Sequence, residues 1–180
     1  EVSHENRKNL KKLRKKTQEL DISIKEQKDN IHVIIKKLRE DSIETGHFYV
    51  QVVDYLGEIT NTLKFITNPA YDHINNNHKG LTENQTKELL ELSNEIHSFI
   101  KSLTKIIKEY NFRKIDEVLK FQQEILKKIS GYRKGQLKRI KKNESGTTKS
   151  SLLYLDILNE TKNIVLYSVS LIKAQRDFIL

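Results

Sequence analysis

From Leu10 to Leu38 the apolar residues Leu10, Leu13, Leu20, Ile24, Ile31, Ile35 and Leu38 return at steps of three, four or seven. That spacing lines one face of an α-helix and cannot line one face of a strand. The same rhythm resumes at Leu89, Leu92, Ile96, Phe99, Leu103, Ile106 and Ile107, and again at Ile115, Leu119, Ile125, Ile129, Leu137 and Ile140. With 1 Pro and 6 Gly in 180 residues, few positions can interrupt such helices. The expected fold is all-α, an up-and-down bundle of five long antiparallel helices within one domain over residues 1–180.

Local signals divide the chain. The first helix is expected over about 6–39. Asp41 with Glu44 three positions on suits a capping box for the second. The second is expected to run to about Thr67, where Asn68-Pro69 breaks or kinks it before a short helix to about Asn77. Gly80 is expected to supply a left-handed helix end, and Thr82 with Gln85 a capping box for a third helix over about 83–109. Asn111 marks a tight turn, a fourth helix is expected over about 113–142, and a fifth over about 150–178. The intervening Asn143-Glu-Ser-Gly-Thr-Thr148 reads as the most flexible stretch.

One stretch breaks the habit of the rest. Lys and Arg make up 33 of the 180 residues, yet none falls between Glu40 and Leu63. On a helix, Glu44, His47, Gln51, Asp54, Glu58 and Asn61 form one narrow stripe, while Phe48, Val52, Tyr55, Leu56 and Ile59 fill the neighbouring arc. One side packs and the other displays acids without nearby cations in sequence. The device returns later: Asp54-Tyr-Leu-Gly-Glu58-Ile-Thr-Asn61 aligns with Asp156-Ile-Leu-Asn-Glu160-Thr-Lys-Asn163. The flanks Ile35-Lys-Lys-Leu-Arg39 and Leu137-Lys-Arg-Ile-Lys141 align as well. This reads as a duplicated helix pair, with repeat one over about 6–110, closed by the third helix, and a truncated repeat two over about 113–180.

Composition excludes several chemistries. The absence of Cys removes disulfides, thiolate metal sites and a Cys nucleophile, and fits a reducing compartment. No Met stands at position 1, so the chain reads as a piece of a longer protein. No unbroken apolar run exceeds four residues, as at Leu152–Leu155, against the ~20 that a membrane-spanning helix needs. A formal charge of +9 is concentrated around Lys8–Lys16 and Lys127–Lys142. Such clusters suit either an anionic partner or a solvated helix face.

The strings EDSIETGHFYVQVVDYL, HINNNHKGLT and LNETKNIVLYSVSLIKAQRDF resemble the PhoU family of phosphate-regulatory proteins. More specifically, they are similar to the PhoU-like cytoplasmic C-terminal domain of bacterial sodium/phosphate cotransporters, over about Asn30 to Phe178. The resemblance implies a non-catalytic regulatory domain at the cytoplasmic face of the inner membrane, partnered by the membrane portion of the same transporter. Its second reading is a free-standing PhoU-type adaptor in phosphate signalling. It also implies metal binding through acidic pairs, carried here by Asp54 with Glu58 and Asp156 with Glu160. This chain departs from the pattern in having Glu as the second member of each pair and in lacking a sixth helix.

Residue chemistry allows the same site. Carboxylates at i and i+4 share a helix face and can hold a hard cation, with Glu44 and His47 extending the stripe. Iron, zinc or magnesium is the candidate ion, and the alternative is a solvated or structurally paired face. Glu44-Thr-Gly-His47 has the E-x-x-H spacing of di-iron bundles, but its only companion is Asp29-Asn-Ile-His32, so a di-iron protein lacks its second motif. His73 and His78 read as turn formers, and His32 and His97 as ordinary helical residues. No phosphate loop or nucleophile elbow is present, and no DNA-binding motif surrounds Tyr132, so no nucleic acid is expected. The basic first turns suit an anionic membrane surface. Association with a second copy of the chain is open to the bundle.

Overall fold

The structure, a computed structural model, describes residues 2–37 and 43–179, with the side chains of residues 2–6, 43 and 44 outside the description. Five helices carry the fold: α1 (Val2–Lys37), α2 (Ile43–Asn75), α3 (Glu83–Glu109), α4 (Ile115–Lys141) and α5 (Thr148–Ile179). A 3₁₀ turn at Phe112–Lys114 leads into α4, and the described residues contain no strand. The all-α antiparallel bundle expected from the periodicity is what the chain forms.

Caps explain several boundaries. Thr82 accepts from the Gln85 backbone N–H while the Gln85 side chain accepts from the Thr82 N–H, so α3 starts on the expected box. It ends at Tyr110 in the left-handed region, φ 53°, with the Asn111 N–H donating to the Ile106 carbonyl at 3.1 Å. Two expectations are corrected. The left-handed residue after α2 is Asn77, φ 53°, not Gly80, and the His78 N–H reaches back to the His73 carbonyl at 3.1 Å. Asn tolerates that conformation, so the helix closes three residues before the glycine.

The second correction concerns Pro69, which sits inside a continuous α2 rather than restarting it. Proline removes one donor and frees the Phe65 carbonyl. Here Pro69 is exposed and the Phe65 side chain is 63% exposed, so water can take that carbonyl's hydrogen bond. Contacts with α1 hold the helix on both sides of the proline: Lys64 before it pairs with Asp21 at 2.9 Å, and Tyr71 after it lies under Arg14. Asp41, the expected cap of α2, lies outside the described residues.

The hydrophobic core belongs to α3, α4 and α5. Leu92, Phe99, Leu103 and Ile106 of α3 meet Val118, Ile125 and Ile129 of α4 and Tyr154, Leu158, Val165 and Ile172 of α5. Helix α3 packs against α4 and α5. The loop before α5 is tied down rather than free. The Ser145 carbonyl accepts from Gln85 Nε2 at 3.3 Å and Ser151 Oγ at 3.0 Å. At Gly146 the positive φ of 79° would strain any other residue, and a Cβ would stand a tight 3.0 Å from Thr82 Cγ2.

Helix α2 lies antiparallel along α5, and α1 packs along α2. The buried residues of α2 include Val53, Thr60, Thr62 and Thr67, each threonine hydroxyl donating to the carbonyl four residues earlier. That local bond lets a hydroxyl be buried without a distant partner. The seam that α1 offers to α2 runs Leu10, Arg14, Thr17, Asp21, Ile24, Lys28 and Ile31, spaced as in a coiled coil but mostly polar. Arg14 covers Tyr71, Asp21 pairs with Lys64 at 2.9 Å, and Lys28 pairs with Asp54 at 2.9 Å. Such contacts set register more than they stabilise. We expect α1 amides to exchange with solvent about a hundredfold faster than those of the α3–α5 core. Equal protection in a hydrogen-exchange measurement would show that α1 opens only with the whole bundle.

Candidate functional site

The acidic stripe of α2 is exposed as expected, but it is not without cations. Lys28 of α1 crosses Gly57 to reach Asp54 Oδ1 at 2.9 Å. A Cβ at Gly57 would stand 3.2 Å from Lys28 Cε, so the glycine inside the acidic motif makes room for the lysine stem. Both side chains are substantially solvated, and the pair contributes little stability. Glu58 is exposed one turn on. Gln51 Nε2 donates to His47 Nε2 at 3.0 Å, which occupies one ring nitrogen of His47. The Glu44 side chain lies outside the described residues.

On α5, Asp156 is exposed and Glu160 half-buried. Glu160 accepts from Asn159 Nδ2 at 3.1 Å and Asn163 Nδ2 at 3.2 Å. The antiparallel register of α2 and α5 follows from the Tyr49–Phe178 ring contact at one end and the cleft shared by His73 and Leu153 at the other. That register sets Asp54 level with Lys173 and Asp156 level with Ala70, so Asp54 and Asp156 stand about 16 residues, or roughly 25 Å, apart along the helices, and the nearer members, Glu58 and Glu160, about 8 residues, or roughly 12 Å. The pairs do not converge. Among the described residues no group of three or more His, Asp or Glu side chains is placed to hold a metal ion.

Elemental analysis of the purified, untagged chain addresses the metal reading directly. We expect no stoichiometric iron, zinc or magnesium, because each pair alone offers two carboxylates and Asp54 already has an ammonium partner. A stoichiometric metal lost in the variant carrying Asp54→Ala, Glu58→Ala, Asp156→Ala and Glu160→Ala would reverse that expectation.

Two further polar arrangements stand apart from the acidic stripes, the second of them not anticipated from sequence. The first is the α2–α3 corner, where His73 is only 7% exposed and its Nε2 bonds the Lys79 carbonyl at 2.9 Å. His78 stands edge-on to His73 and 3.1 Å from Lys149 Nζ. Desolvation, then the charges of Lys149 and His73, hold the His78 imidazole below its ordinary pKa. His73 thus anchors the turn, in keeping with the turn-forming role expected of that stretch. Asp72 and Asp156 flank the same open cleft.

The second joins three helices. Arg139 of α4 clamps Glu88 of α3 through Nη1 and Nη2 at 2.9 and 2.8 Å, and Tyr154 of α5 donates its hydroxyl to Glu88 Oε2. Arg139 Nε continues to Gln136 Oε1 at 2.9 Å, and Gln136 Nε2 to Ser151 Oγ at 3.1 Å. Burial pushes the Glu88 carboxyl upward, but the hydrogen bonds from Arg139 and Tyr154 and the arginine charge outweigh it, leaving the pKa below its ordinary value. Burial and the bond to Glu88 push the Tyr154 phenol upward. The legible signal was Gln85 and Glu88 standing at i−7 and i−4 from Leu92, on the apolar stripe of α3. Each of these polar groups is engaged by another, so the network braces the bundle and offers no free nucleophile.

A third surface is cationic. From Arg7 to Lys16 the chain carries seven Lys and Arg and no acid. Lys8, Lys11, Lys12, Arg14, Lys15 and Gln18 border an open groove with Tyr71. The Arg14 guanidinium lies 5.2 Å from the Tyr71 ring centroid. Arg14 Nε is buried without a hydrogen-bond partner, alone in this among the side-chain atoms of the described residues.

Together these features define an all-α bundle whose exposed helices present separate acidic and basic faces. No protein-family model matches the chain, and no curated protein or solved structure matches it.

Proposed function

We propose that the chain is a non-catalytic regulatory domain of a sodium-dependent phosphate transporter, acting at the cytoplasmic face of the membrane through contacts with the transporter's membrane portion. The observation that carries the reading is the resemblance of the strings at 40–56, 73–82 and 158–178 to the PhoU-like domains of such transporters. The all-α bundle is compatible with it. Among the described residues no helix is long and apolar enough to cross a membrane, so the membrane portion in this reading is a separate segment of the protein. The reading assigns work to surfaces rather than to a reaction centre. The α3–α5 core supplies a rigid base, and the hairpin α1–α2, held by a polar seam, supplies faces for a partner.

In-frame removal of the coding region for residues 1–180 tests the proposal in cells. Sodium-dependent phosphate uptake should change in rate, or in its response to external phosphate, at unchanged abundance of the remaining protein. Uptake unaltered on both counts would overturn the reading.

A further inference from the structure

We propose that the outer side of the α1–α2 hairpin is an interface for a second copy of this chain, packed face to face and antiparallel, with Ile22 and Phe65 at its centre. The proposal stands on the surface chemistry of the hairpin and holds whatever the bundle regulates.

Geometry defines the face. Along the seam Arg14 meets Tyr71, Asp21 meets Lys64, and the Lys28 stem crosses Gly57, so the two helices keep one antiparallel register. Lys15, Ile22 and Asp29 each follow one of those α1 residues by one position, and Glu58 and Phe65 each follow one of the α2 residues by one position. One position on is a turn of about 100° about each axis. Because the helices are antiparallel, equal turns away from facing residues bring the side chains to the same side of the pair. All five residues are exposed there, and Lys8, one heptad before Lys15, and Lys11, next to Leu10 of the seam, extend the face.

Charge runs along this face from one sign to the other. Lys8, Lys11 and Lys15 occupy the end level with the last turns of α2. Among the described residues only Lys15 of the three meets an acid, Glu19, at 3.7 Å and in solvent. Asp72, the one acid of α2 at this end, borders the cleft with His73 and Lys149. Asp29 and Glu58 occupy the opposite end beside Asp54. The cations there, Lys25 and Lys28, are already held by Asp21 and Asp54 at 3.0 and 2.9 Å. Between the ends lie Ile22 and Phe65, 58% and 63% exposed. Lys15 and Glu58 stand about six residues, roughly 9 Å along the axes, to either side of that centre.

A partner for this face must be acidic where the face is basic, basic where it is acidic, and apolar between. A second copy, turned by a twofold axis that crosses the hairpin at the level of Ile22, meets all three conditions. A uniformly anionic partner does not: a bilayer or a nucleic acid drawn to Lys8, Lys11 and Lys15 would be repelled by Asp29 and Glu58. Two helices over about 25 residues present roughly 40 Å by 20 Å, or about 800 Å² per copy, the size of a standard interface. With apolar contact confined to its centre, the dimer is weak and sensitive to salt.

Sedimentation equilibrium of the full chain, from micromolar to millimolar concentration, tests the proposal. The dimer fraction should rise with concentration and fall at high salt. Lys11→Glu with Lys15→Glu makes both ends of the face acidic, and Asp29→Lys with Glu58→Lys makes both ends basic. Each variant should self-associate about a hundredfold more weakly. An equimolar mixture of the two should associate at least as tightly as the wild type, because each then meets its opposite. Phe65→Ser should weaken the dimer about tenfold. Lys134→Glu with Lys138→Glu makes the same charge change on α4 and should cost less than about threefold. Circular dichroism of each variant checks that the helices persist. A wild-type chain that stays monomeric throughout, or a mixture of folded variants that does so, would overturn the proposal. Dimers left intact by both charge variants would put the contact on another face and overturn it too. Anionic vesicles or duplex DNA bound by a chain that remains monomeric would assign the lysine end to that partner instead.

Discussion

Phe99→Ala should lower the unfolding free energy by about 4 kcal/mol, the largest effect expected of any single substitution in the chain. Phe99 has no exposed surface and meets the Phe121 ring edge-on at a centroid distance of 5.8 Å. Truncation would leave a cavity between α3 and α4 beside the Phe121 ring, within a cluster whose members are already buried. In thermal denaturation the midpoint should fall by roughly 12 °C for a chain of this size. Leu13→Ala, on the exposed flank of α1, should move it by less than about 2 °C. Comparable shifts for the two would mean that the stabilising core does not lie in α3–α5.

Glu88→Ala should cost about 3 kcal/mol, because it strands the Arg139 guanidinium and the Tyr154 hydroxyl where little water reaches them. The Arg139 and Glu88 side chains are 16% and 20% exposed, so solvent screening is modest. Glu88→Gln keeps an acceptor and should cost about half as much. Acidity gives an independent readout. The folded-state pKa of Glu88 is depressed, so its contribution is fully present above the ordinary glutamate value and is lost as pH falls through the folded value. The gap between wild type and Glu88→Ala should therefore close in acid. At the alkaline side the sign reverses. The Tyr154 pKa is raised, so its contribution is present below the ordinary tyrosine range and is lost as pH rises through the folded value. A gap that stays constant from acid to neutral pH would show that the carboxylate is not what joins the three helices.

Much of the fold was legible because local signals and packing agree. The capping box at Thr82 and Gln85 and the stripe from Leu89 to Ile107 placed α3 to the residue. Pro69 does not end the helix because the cost of a lost hydrogen bond is local, whereas the contacts that hold α2 on either side of it come from Asp21 and Arg14, far away in sequence. Gly80 was misread for a related reason: Asn77 also tolerates the left-handed region and comes first. The acidic stripe was correctly seen as a helix face, yet its nearest cation, Lys28, belongs to another helix and could not be read from the stripe. Glu88, Arg139 and Tyr154 meet only when three helices come together, although Glu88 on an apolar stripe was a visible anomaly.

The sequence by itself determined that this chain is helical, where its helices change direction, and which faces are apolar, acidic or basic. Those properties depend on neighbours three or four residues apart, and backbone geometry turns that spacing directly into a face. Only the tertiary structure decided which faces meet. It gave α3 to the second hairpin, set α1 against α2 along a polar seam, and separated the two acidic pairs along an antiparallel axis. Periodicity specifies the phase of a helix about its own axis but carries no information on the register of one helix along another. That register is chosen by side-chain fit between distant segments, and here it is what holds Asp54 and Glu58 apart from Asp156 and Glu160.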